Sequence, residues 1–164
     1  MKDLFLLLGS NVPEKRSILS QAAGLIEKEA GIIIHRSSVY ETEPWGFEAE
    51  ESFYNQVLQM RTSLPAIVIL EKCIAIELEM GRKRTGRRYE SRIIDIDILF
   101  YGSLIMKSPQ IEIPHPRLHL RRFTLEPLNE IAPDLIHPRL RKKISYLLNE
   151  CRDTCWVKRL AEFQ

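Results

Sequence analysis

Two acidic residues, Asp95 and Asp97, lie two positions apart inside a run that otherwise has the pattern of a buried β-strand, Ile-Ile-Asp-Ile-Asp-Ile-Leu-Phe-Tyr. Successive side chains of a strand alternate between its faces at a rise of about 3.3 Å, so both carboxylates project from one face, roughly 6–7 Å apart. Two anions in a largely apolar strand repel each other and lose hydration unless cations compensate them. The pattern therefore predicts a strand whose carboxylates converge on one charged site, and a surface strand with solvated carboxylates is the alternative.

A basic segment precedes this strand, with the sequence Gly-Arg-Lys-Arg-Thr-Gly-Arg-Arg-Tyr-Glu-Ser-Arg over residues 81–92. Guanidinium groups offer planar, bidentate donors that suit phosphate oxygens. Mg²⁺ is bound in proteins through one or two carboxylates together with phosphate oxygens and water. The two aspartates and the glycine-punctuated cationic loop together predict a site for phosphate and Mg²⁺. For Arg84, Arg87 and Arg88, a solvated loop without ligand contacts is an equal alternative.

The chain has 164 residues, which predicts a single domain over residues 1–164 with a core that needs no disulfides. The net charge of +2 is too small to indicate bulk nucleic-acid binding, and no apolar segment is long enough to span a membrane. Cys73, Cys151 and Cys155 are odd in number and widely placed, which favours a reducing, cytoplasmic compartment. Cys151 and Cys155 are expected on a C-terminal helix as buried or idle thiols.

Hydrophobic periodicity alternates between strand and helix patterns along the chain. The predicted strands cover residues 4–8, 32–40, 53–62, 92–101 and 111–113. The predicted helices run from Pro13 to just before Gly31, from about Pro65 to Met80, and over residues 144–151. The buried side of the second helix is predicted to consist of Ile67, Leu70, Ile74 and Leu78. This order favours an α+β sandwich in which helices cover a mainly antiparallel sheet.

Several short motifs, each weak alone, become specific through their shared order and spacing. They are Gly9-Ser-Asn11, Ser38-Val-Tyr-Glu-Thr-Glu-Pro-Trp-Gly46, Phe53-Tyr-Asn55, Glu77-Leu-Glu-Met-Gly-Arg82, Arg92-Ile-Ile-Asp-Ile-Asp97, Pro114-His115 and Arg121-Arg-Phe123. Over nearly the whole chain this combination resembles the 6-hydroxymethyl-7,8-dihydropterin pyrophosphokinases of folate biosynthesis. The resemblance implies a ferredoxin-like α+β sandwich, and transfer of the terminal diphosphate of ATP to the pterin hydroxymethyl oxygen with release of AMP.

The resemblance also assigns roles to residues of this chain. It implies two Mg²⁺ ions held by Asp95 and Asp97, with Arg82 and Arg92 as further catalytic residues. The implied ATP contacts are Glu77, Arg84, Ile98, His115 and Arg121. The implied pterin contacts are Thr42, Pro44, Trp45, Gly46, Phe53, Asn55, Tyr89 and Phe123. The expected partners are the two small-molecule substrates, without nucleic acid or membrane, and the expected state is a monomer.

Simpler interpretations remain for several of these residues. Phe53 and Phe123 are equally suited to ordinary core packing, and the Asn55 carboxamide to satisfying a neighbouring backbone group. Glu77 is nearly as compatible with an exposed helix face, and His115 with a surface position. As whole-protein alternatives, an RNA-binding module would be disfavoured by two aspartates facing a phosphate backbone. A Mg²⁺-dependent nucleotidyltransferase would release pyrophosphate instead of AMP.

Overall fold

The computed structural model describes residues 1–43, 51–81 and 93–162 of the chain. Its strands are β1 (Lys2–Ser10), β2 (Ile32–Arg36), β3 (Tyr40–Thr42), β4 (Phe53–Thr62), β5 (Asp95–Tyr101), β6 (Met106–Lys107), β7 (Glu112–Ile113) and β8 (Val157–Arg159). Its helices are α1 (Lys15–Ala30), α2 (Ala66–Glu79), α3 (Arg122–Ile131) and α4 (Ile144–Glu150), with a 3₁₀ turn at Leu118–Leu120. Within these ranges, no helix combines the length and apolar content that crossing a membrane requires.

The main sheet has the strand order β5-β1-β4-β3-β8. On the same side of β4, β3 pairs with residues 53–55 and β2 pairs with residues 58–61. Every pairing in it is antiparallel. A separate two-stranded ribbon joins β6 and β7. The predicted class, an α+β protein with an antiparallel sheet and covering helices, is confirmed.

The sheet is covered on both faces, so β1 is buried on both sides from Leu4 to Ser10. Its leucines at positions 4, 6 and 8 belong to a core cluster with α1 and α2. Phe5 and Leu7 belong to a second cluster with α3 and α4. A strand buried on both faces reads as a continuous apolar run because neither face meets water, which explains the Leu-Phe-Leu-Leu-Leu sequence.

The predicted strands agree with the structure over residues 53–62 and differ at residues 32–40. The strand interrupts between Arg36 and Tyr40, where serine side chains replace the regular ladder. Ser37 Oγ accepts a hydrogen bond from Val57 N at 2.9 Å, and Ser38 N donates to the Glu130 carboxylate at 3.0 Å. Serine side chains compete with backbone groups for hydrogen-bond partners. The apolar and β-branched sequence of residues 32–40 is therefore interrupted and forms two strands, β2 and β3.

The predicted buried face of α2 is wrong. Ile67 and Leu78 are 38% and 52% exposed, whereas Leu70 and Ile74 are half-buried. The buried residues of α2 are Ala66, Ile69, Cys73, Ile76 and Glu77. Apolar side chains occur on nearly every face of this helix, so its periodicity does not determine which face packs inward.

The C-terminal part of the chain differs from the predicted order of elements. The helix α3 and the strand β8 were not predicted, and α4 ends at Glu150. Cys155 therefore lies beyond the helix, in an irregular stretch where its N–H donates to Asp153 Oδ1 at 3.0 Å. The predicted helical position of Cys155 is wrong because the local carboxylate offers the backbone a different partner.

We expect Gly31→Ala to lower the free energy of unfolding by about 2–4 kcal/mol. Gly31 joins α1 to β2 with φ +151°, and a Cβ there would lie 2.2 Å from the backbone oxygen of Arg61. Urea unfolding measures the effect. Gly24→Ala is the matched control, since no atom lies within 4 Å of its Cβ position in α1. That control should gain about 0.5–1 kcal/mol from helix propensity, and equal effects of the two substitutions would contradict the steric account.

His137 makes the stability of the fold depend on pH. Burial, with smaller contributions from His119 and Arg139, lowers the pKa of His137 to about 4. Its Nδ1 accepts backbone N–H groups of Arg139 and Leu140, which requires the neutral ring. An unfolded histidine has a pKa of about 6.5, so between about pH 6.5 and pH 4 the unfolded chain takes up a proton that the folded chain does not. This contribution to stability is complete above pH 6.5 and is lost as the pH falls.

We expect His137→Asn to reduce the loss of unfolding free energy between pH 7 and pH 5 by about 2 kcal/mol. Asparagine keeps an acceptor near the position of Nδ1 but does not titrate. Urea unfolding at the two pH values measures the difference, and His35→Asn on exposed β2 serves as the control. An unchanged pH dependence in His137→Asn would contradict the prediction.

Candidate functional site

The two aspartates lie half-buried on one face of β5, the edge strand of the main sheet. Asp95 pairs with Gly9 and Asp97 with Leu7 of β1. The intervening Ile96 and the following Ile98 point the opposite way, into the core formed with α1 and α2. The two carboxylates therefore project from the face that α3 and α4 cover farther along the sheet. Ile98, an expected ATP contact, has its side chain in that core.

Glu77 holds the outer edge of β5 between the two aspartates. Its side chain is 3% exposed, and Oε1 accepts a hydrogen bond from Ile96 N at 2.8 Å. The alternative interpretation of Glu77, an exposed helix face, is therefore wrong. A buried carboxylate on the free edge of a strand satisfies an N–H that has no neighbouring strand, and it fixes the backbone from which both aspartates project.

Several expected site residues lie outside the described ranges. They are Arg82, Arg84, Tyr89 and Arg92 in the basic segment, and Pro44, Trp45 and Gly46 in the stretch of chain between β3 and β4. Gly81 and Ile93, the described residues on either side of positions 82–92, lie next to each other. Gly81 has φ +97°, and a Cβ on it would lie 2.9 Å from Ile93 Cδ1. Ser10 Oγ donates a hydrogen bond to the backbone oxygen of Ile93, so the residue that follows the basic segment is attached to β1.

His115 is attached to β5 through its backbone, because its N–H donates to Leu99 O at 3.0 Å. The pKa of His115 is lowered to about 4, chiefly by burial and then by Arg121, whereas nearby Asp95 raises it. The ring is thus neutral at physiological pH. Its Nδ1 accepts the backbone N–H of Arg117 at 3.1 Å, which leaves the ring proton on Nε2 as a hydrogen-bond donor.

Arg121 and Phe123 lie at the start of α3. The Arg121 guanidinium carbon is 5.5 Å from the centre of the Phe123 ring, within cation–π range. Phe123 is half-buried and packs against the second core cluster. The start of α3 therefore presents the Arg121 guanidinium, which interacts electrostatically with His115, and the aromatic ring of Phe123 beside that guanidinium.

Asn55 is a buried polar residue of β4, which lies between β1 and β3 in the sheet. It pairs with Gly9 on one side and with Tyr40 on the other, and it is 4% exposed. Its Nδ2 donates to Thr42 Oγ1 at 2.9 Å. A Cβ at Gly9 would lie 3.0 Å from Asn55 Oδ1, so glycine gives the carboxamide room. Phe53, half-buried, pairs with Thr42 and shares this face of the sheet.

The site expectation omitted a carboxylate that supports β3. Glu130 of α3 accepts hydrogen bonds from Ser38 N, from Ser38 Oγ at 2.9 Å and from Tyr40 OH at 2.7 Å. Burial and then the bond to Glu130 raise the pKa of Tyr40 well above its usual value, so the phenol remains a donor. These partners are 90 or more positions apart in the chain, and no local pattern indicates them.

No three histidine, cysteine, aspartate or glutamate side chains within residues 1–43, 51–81 and 93–162 are arranged to hold a metal ion. The described acids of the site are instead a pair on one strand. A pair is the donor set with which Mg²⁺ is bound when substrate phosphates and water complete its octahedron. The residues present therefore fit a metal that arrives with a phosphate ligand.

Comparison with protein families gives one match, over residues 5–133, to the description 7,8-dihydro-6-hydroxymethylpterin-pyrophosphokinase. The chain is 42% identical over 141 residues to a 2-amino-4-hydroxy-6-hydroxymethyldihydropteridine pyrophosphokinase of Porphyromonas gingivalis, covering 84% of this chain and 95% of that one. It is 40% identical over 144 residues to the protein of the same name from Aquifex aeolicus, covering 88% and 89%.

Among solved structures, a Plasmodium falciparum HPPK-DHPS matches with a TM-score of 0.77 at 21% identity. The match covers 91% of this chain and 45% of that one, so the chain spans less than half of the solved protein. At this identity the structural match supports the arrangement of strands and helices.

Proposed function

The chain belongs to the 7,8-dihydro-6-hydroxymethylpterin-pyrophosphokinase family, and we propose on this premise that it transfers diphosphate from ATP to the hydroxymethyl group of 6-hydroxymethyl-7,8-dihydropterin, releasing AMP. The observation that carries the proposal is the convergence of two kinds of group at one end of the sheet. Asp95 and Asp97 supply carboxylates on β5, while Asn55 and Phe123 supply a carboxamide and an aromatic face nearby. A phosphate donor and a flat heterocycle require these two chemistries.

Asp95 and Asp97 are the residues that would hold Mg²⁺, two ions by the family resemblance. Their position on one face of a strand with a fixed edge supports this role, since Glu77 holds Ile96 between them. The chemistry that Mg²⁺ supplies when bound is neutralisation of the triphosphate and stabilisation of the leaving AMP oxygen. Mg²⁺ dependence is part of the proposal.

At the ATP end, we assign His115 the role of a neutral donor to a phosphate or nucleotide oxygen through Nε2. Arg121 adds a permanent positive charge beside it. Ile98 would contact ATP through its backbone, because its side chain lies in the core. Glu77 would act by holding β5, and Arg82, Arg84 and Arg92 would complete the phosphate contacts from the basic segment.

At the pterin end, the Asn55 carboxamide is held by Thr42 and offers donor and acceptor groups suited to a pterin edge. Phe53 and Phe123 offer aromatic faces for a flat ring. Pro44, Trp45, Gly46 and Tyr89 are the further pterin contacts that we propose from the family resemblance. Transfer then needs little proton transfer from side chains, because positioning and electrostatics dominate phosphoryl chemistry.

The remaining features of the proposal concern the whole protein. The order of β5, β1, β4 and β2, with α1 after β1 and α2 after β4, supports a ferredoxin-like arrangement. We propose a single catalytic domain over residues 1–164 that acts as a monomer in the cytoplasm. Free thiols at Cys73, Cys151 and Cys155 are compatible with that compartment.

The test is to incubate the purified protein with ATP, Mg²⁺ and 6-hydroxymethyl-7,8-dihydropterin and to separate the nucleotides by chromatography. We expect AMP to form only when the pterin is present. Formation of ADP, or release of free pyrophosphate without a diphosphorylated pterin, would contradict the proposal. Free pyrophosphate would favour a nucleotidyltransferase.

A further inference from the structure

The C-terminal stretch that follows α4, residues 151–161, lies beyond residues 5–133 that the family description matches. It is not packed as an isolated tail. It contacts the start of α3, then pairs with β3 through β8, and it ends where Ala161 O accepts a hydrogen bond from Arg16 of α1. The stretch therefore connects two elements that form opposite parts of the proposed pterin site.

The first connection is made by Asp153 at the start of α3. Arg122 N donates to Asp153 Oδ2 at 2.9 Å, and Arg122 Nε donates to the backbone oxygen of Asp153 at 3.2 Å. The N-cap residue of α3 is Arg121, whose side chain does not accept a hydrogen bond from the first N–H groups of the helix. Asp153 thus supplies from a distant part of the chain the acceptor and negative charge that a local Asp or Ser usually supplies. The residue after Arg122 is Phe123.

The second connection is made by β8 along β3. Arg159 pairs with Tyr40, and Val157 pairs with Thr42. Arg159 Nε donates to Ser38 Oγ at 2.9 Å, and its guanidinium lies 3.5 Å from Glu130, the carboxylate that holds Ser38 and Tyr40. At the far end, Trp156 N donates to Glu43 Oε1 at 2.9 Å. The strand that carries Thr42 is therefore held along its length by the C-terminal stretch.

We propose that Asp153 and Arg159 are positioning residues for the pterin, which set the separation of Phe123 from Thr42 and Asn55 through these two connections. The inference rests on the proposed function. Neither residue touches the ligand. A ring that stacks on Phe123 and hydrogen-bonds near Asn55 is bound tightly only when both are at the right distance, and errors of an ångström are costly in such sites.

The first experiment compares Asp153→Ala with wild type in steady-state assays of AMP release, varying the pterin and ATP separately. We expect the KM for the pterin to rise about tenfold, with the KM for ATP changed less than about threefold. Asp153→Asn keeps one acceptor oxygen, which can accept from Arg122 N or Cys155 N but not from both, and should restore part of the pterin affinity. Asp134→Ala is the control, because this exposed aspartate of the same region pairs only at the surface with Lys143.

The second variant covers the case in which Asp153→Ala does not fold, as judged by circular dichroism. Arg159→Ala removes an exposed side chain outside the core and should show the same split between the two KM values. Lys158→Ala, at the exposed neighbouring position of β8, is its control.

The outcomes separate the inference from the function on which it rests. A wild-type protein without pterin-dependent AMP release overturns the proposed function and the inference with it. An active wild type whose folded Asp153 or Arg159 variants keep the normal pterin KM, or raise both KM values equally, overturns the inference alone. A selective rise with rescue by Asp153→Asn supports it, since a loss of stability alone would not distinguish the two substrates.

Discussion

Asp97→Asn is expected to lower turnover about a thousandfold, because removing one preorganised charge at a phosphoryl-transfer centre typically costs two to three orders of magnitude or more. Asparagine has the shape of aspartate and retains an oxygen, but it lacks the charge that balances a divalent cation. The loss should appear in kcat with saturating ATP and pterin. A raised Mg²⁺ requirement should accompany it.

The same substitution is not expected to destabilise the fold. Asp95 and Asp97 are like charges on one face of β5, roughly 6–7 Å apart by strand geometry, and asparagine removes the repulsion between them while keeping the shape and an acceptor oxygen of aspartate. Neutralising one of them should leave the unfolding midpoint unchanged or raise it slightly in the absence of ligands. A large loss of activity with no loss of stability distinguishes a functional residue from a structural one.

Two measurements test this pair of expectations: AMP formation in the presence of the pterin, and thermal unfolding followed by circular dichroism. Asp3→Asn is the matched control, since Asp3 lies on adjacent β1 and pairs at the surface with Arg61 at 3.4 Å. Retention of more than about a tenth of wild-type turnover by Asp97→Asn with Mg²⁺ would contradict the assignment of the metal site.

Local rules were enough to predict the parts of the fold in which one face is polar and the other apolar. The alternation of Asp95, Ile96, Asp97 and Ile98 is a property of a few adjacent residues, and the structure separates them onto two faces as strand geometry requires. The strand Phe53–Thr62 was predicted with its observed bounds because its alternating apolar positions end just before Ser63 and Pro65, which begin the next helix.

Contacts between distant parts of the chain were not predictable from local patterns. The apolar sequence of α2 fits several rotations, and the burial of Glu77 against Ile96 belongs to the rotation that the pattern did not favour. Glu130 and Asp153 look like ordinary charged residues in the sequence. Their roles depend on Ser38 and Arg122, which are far from them along the chain.

The candidate site was proposed from the sequence for a different reason. Asn55, His115 and Phe123 each have an ordinary structural interpretation, and only the order and spacing of the motifs placed them in one site. The structure adds how they are held: Asn55 by Thr42, and His115 by the backbone of Leu99. Geometry of this kind follows from the register of β1, β3 and β4, which a sequence pattern does not specify.

Phe123→Ala is expected to weaken pterin binding by about 10- to 100-fold, since stacking of an aromatic side chain on a flat base is worth about 1–3 kcal/mol. The affinity for ATP should change less than the affinity for the pterin, because Phe123 affects the proposed ATP contacts only through its cation–π contact with Arg121. Calorimetric titration of each ligand separately, with a nonhydrolysable ATP analogue present when the pterin is titrated, measures both constants.

Phe123 also packs against the second core cluster, so a loss of affinity in Phe123→Ala has two explanations, a lost stacking face or a disturbed core. Phe123→Leu separates them, because leucine fills most of the apolar space but has no aromatic face. If stacking is the role of Phe123, the leucine variant should keep near-normal stability and still bind the pterin about tenfold more weakly. Wild-type pterin affinity in Phe123→Leu would show that the ring serves packing, and it would move the stacking role to Phe53, which pairs with Thr42 on this face of the sheet.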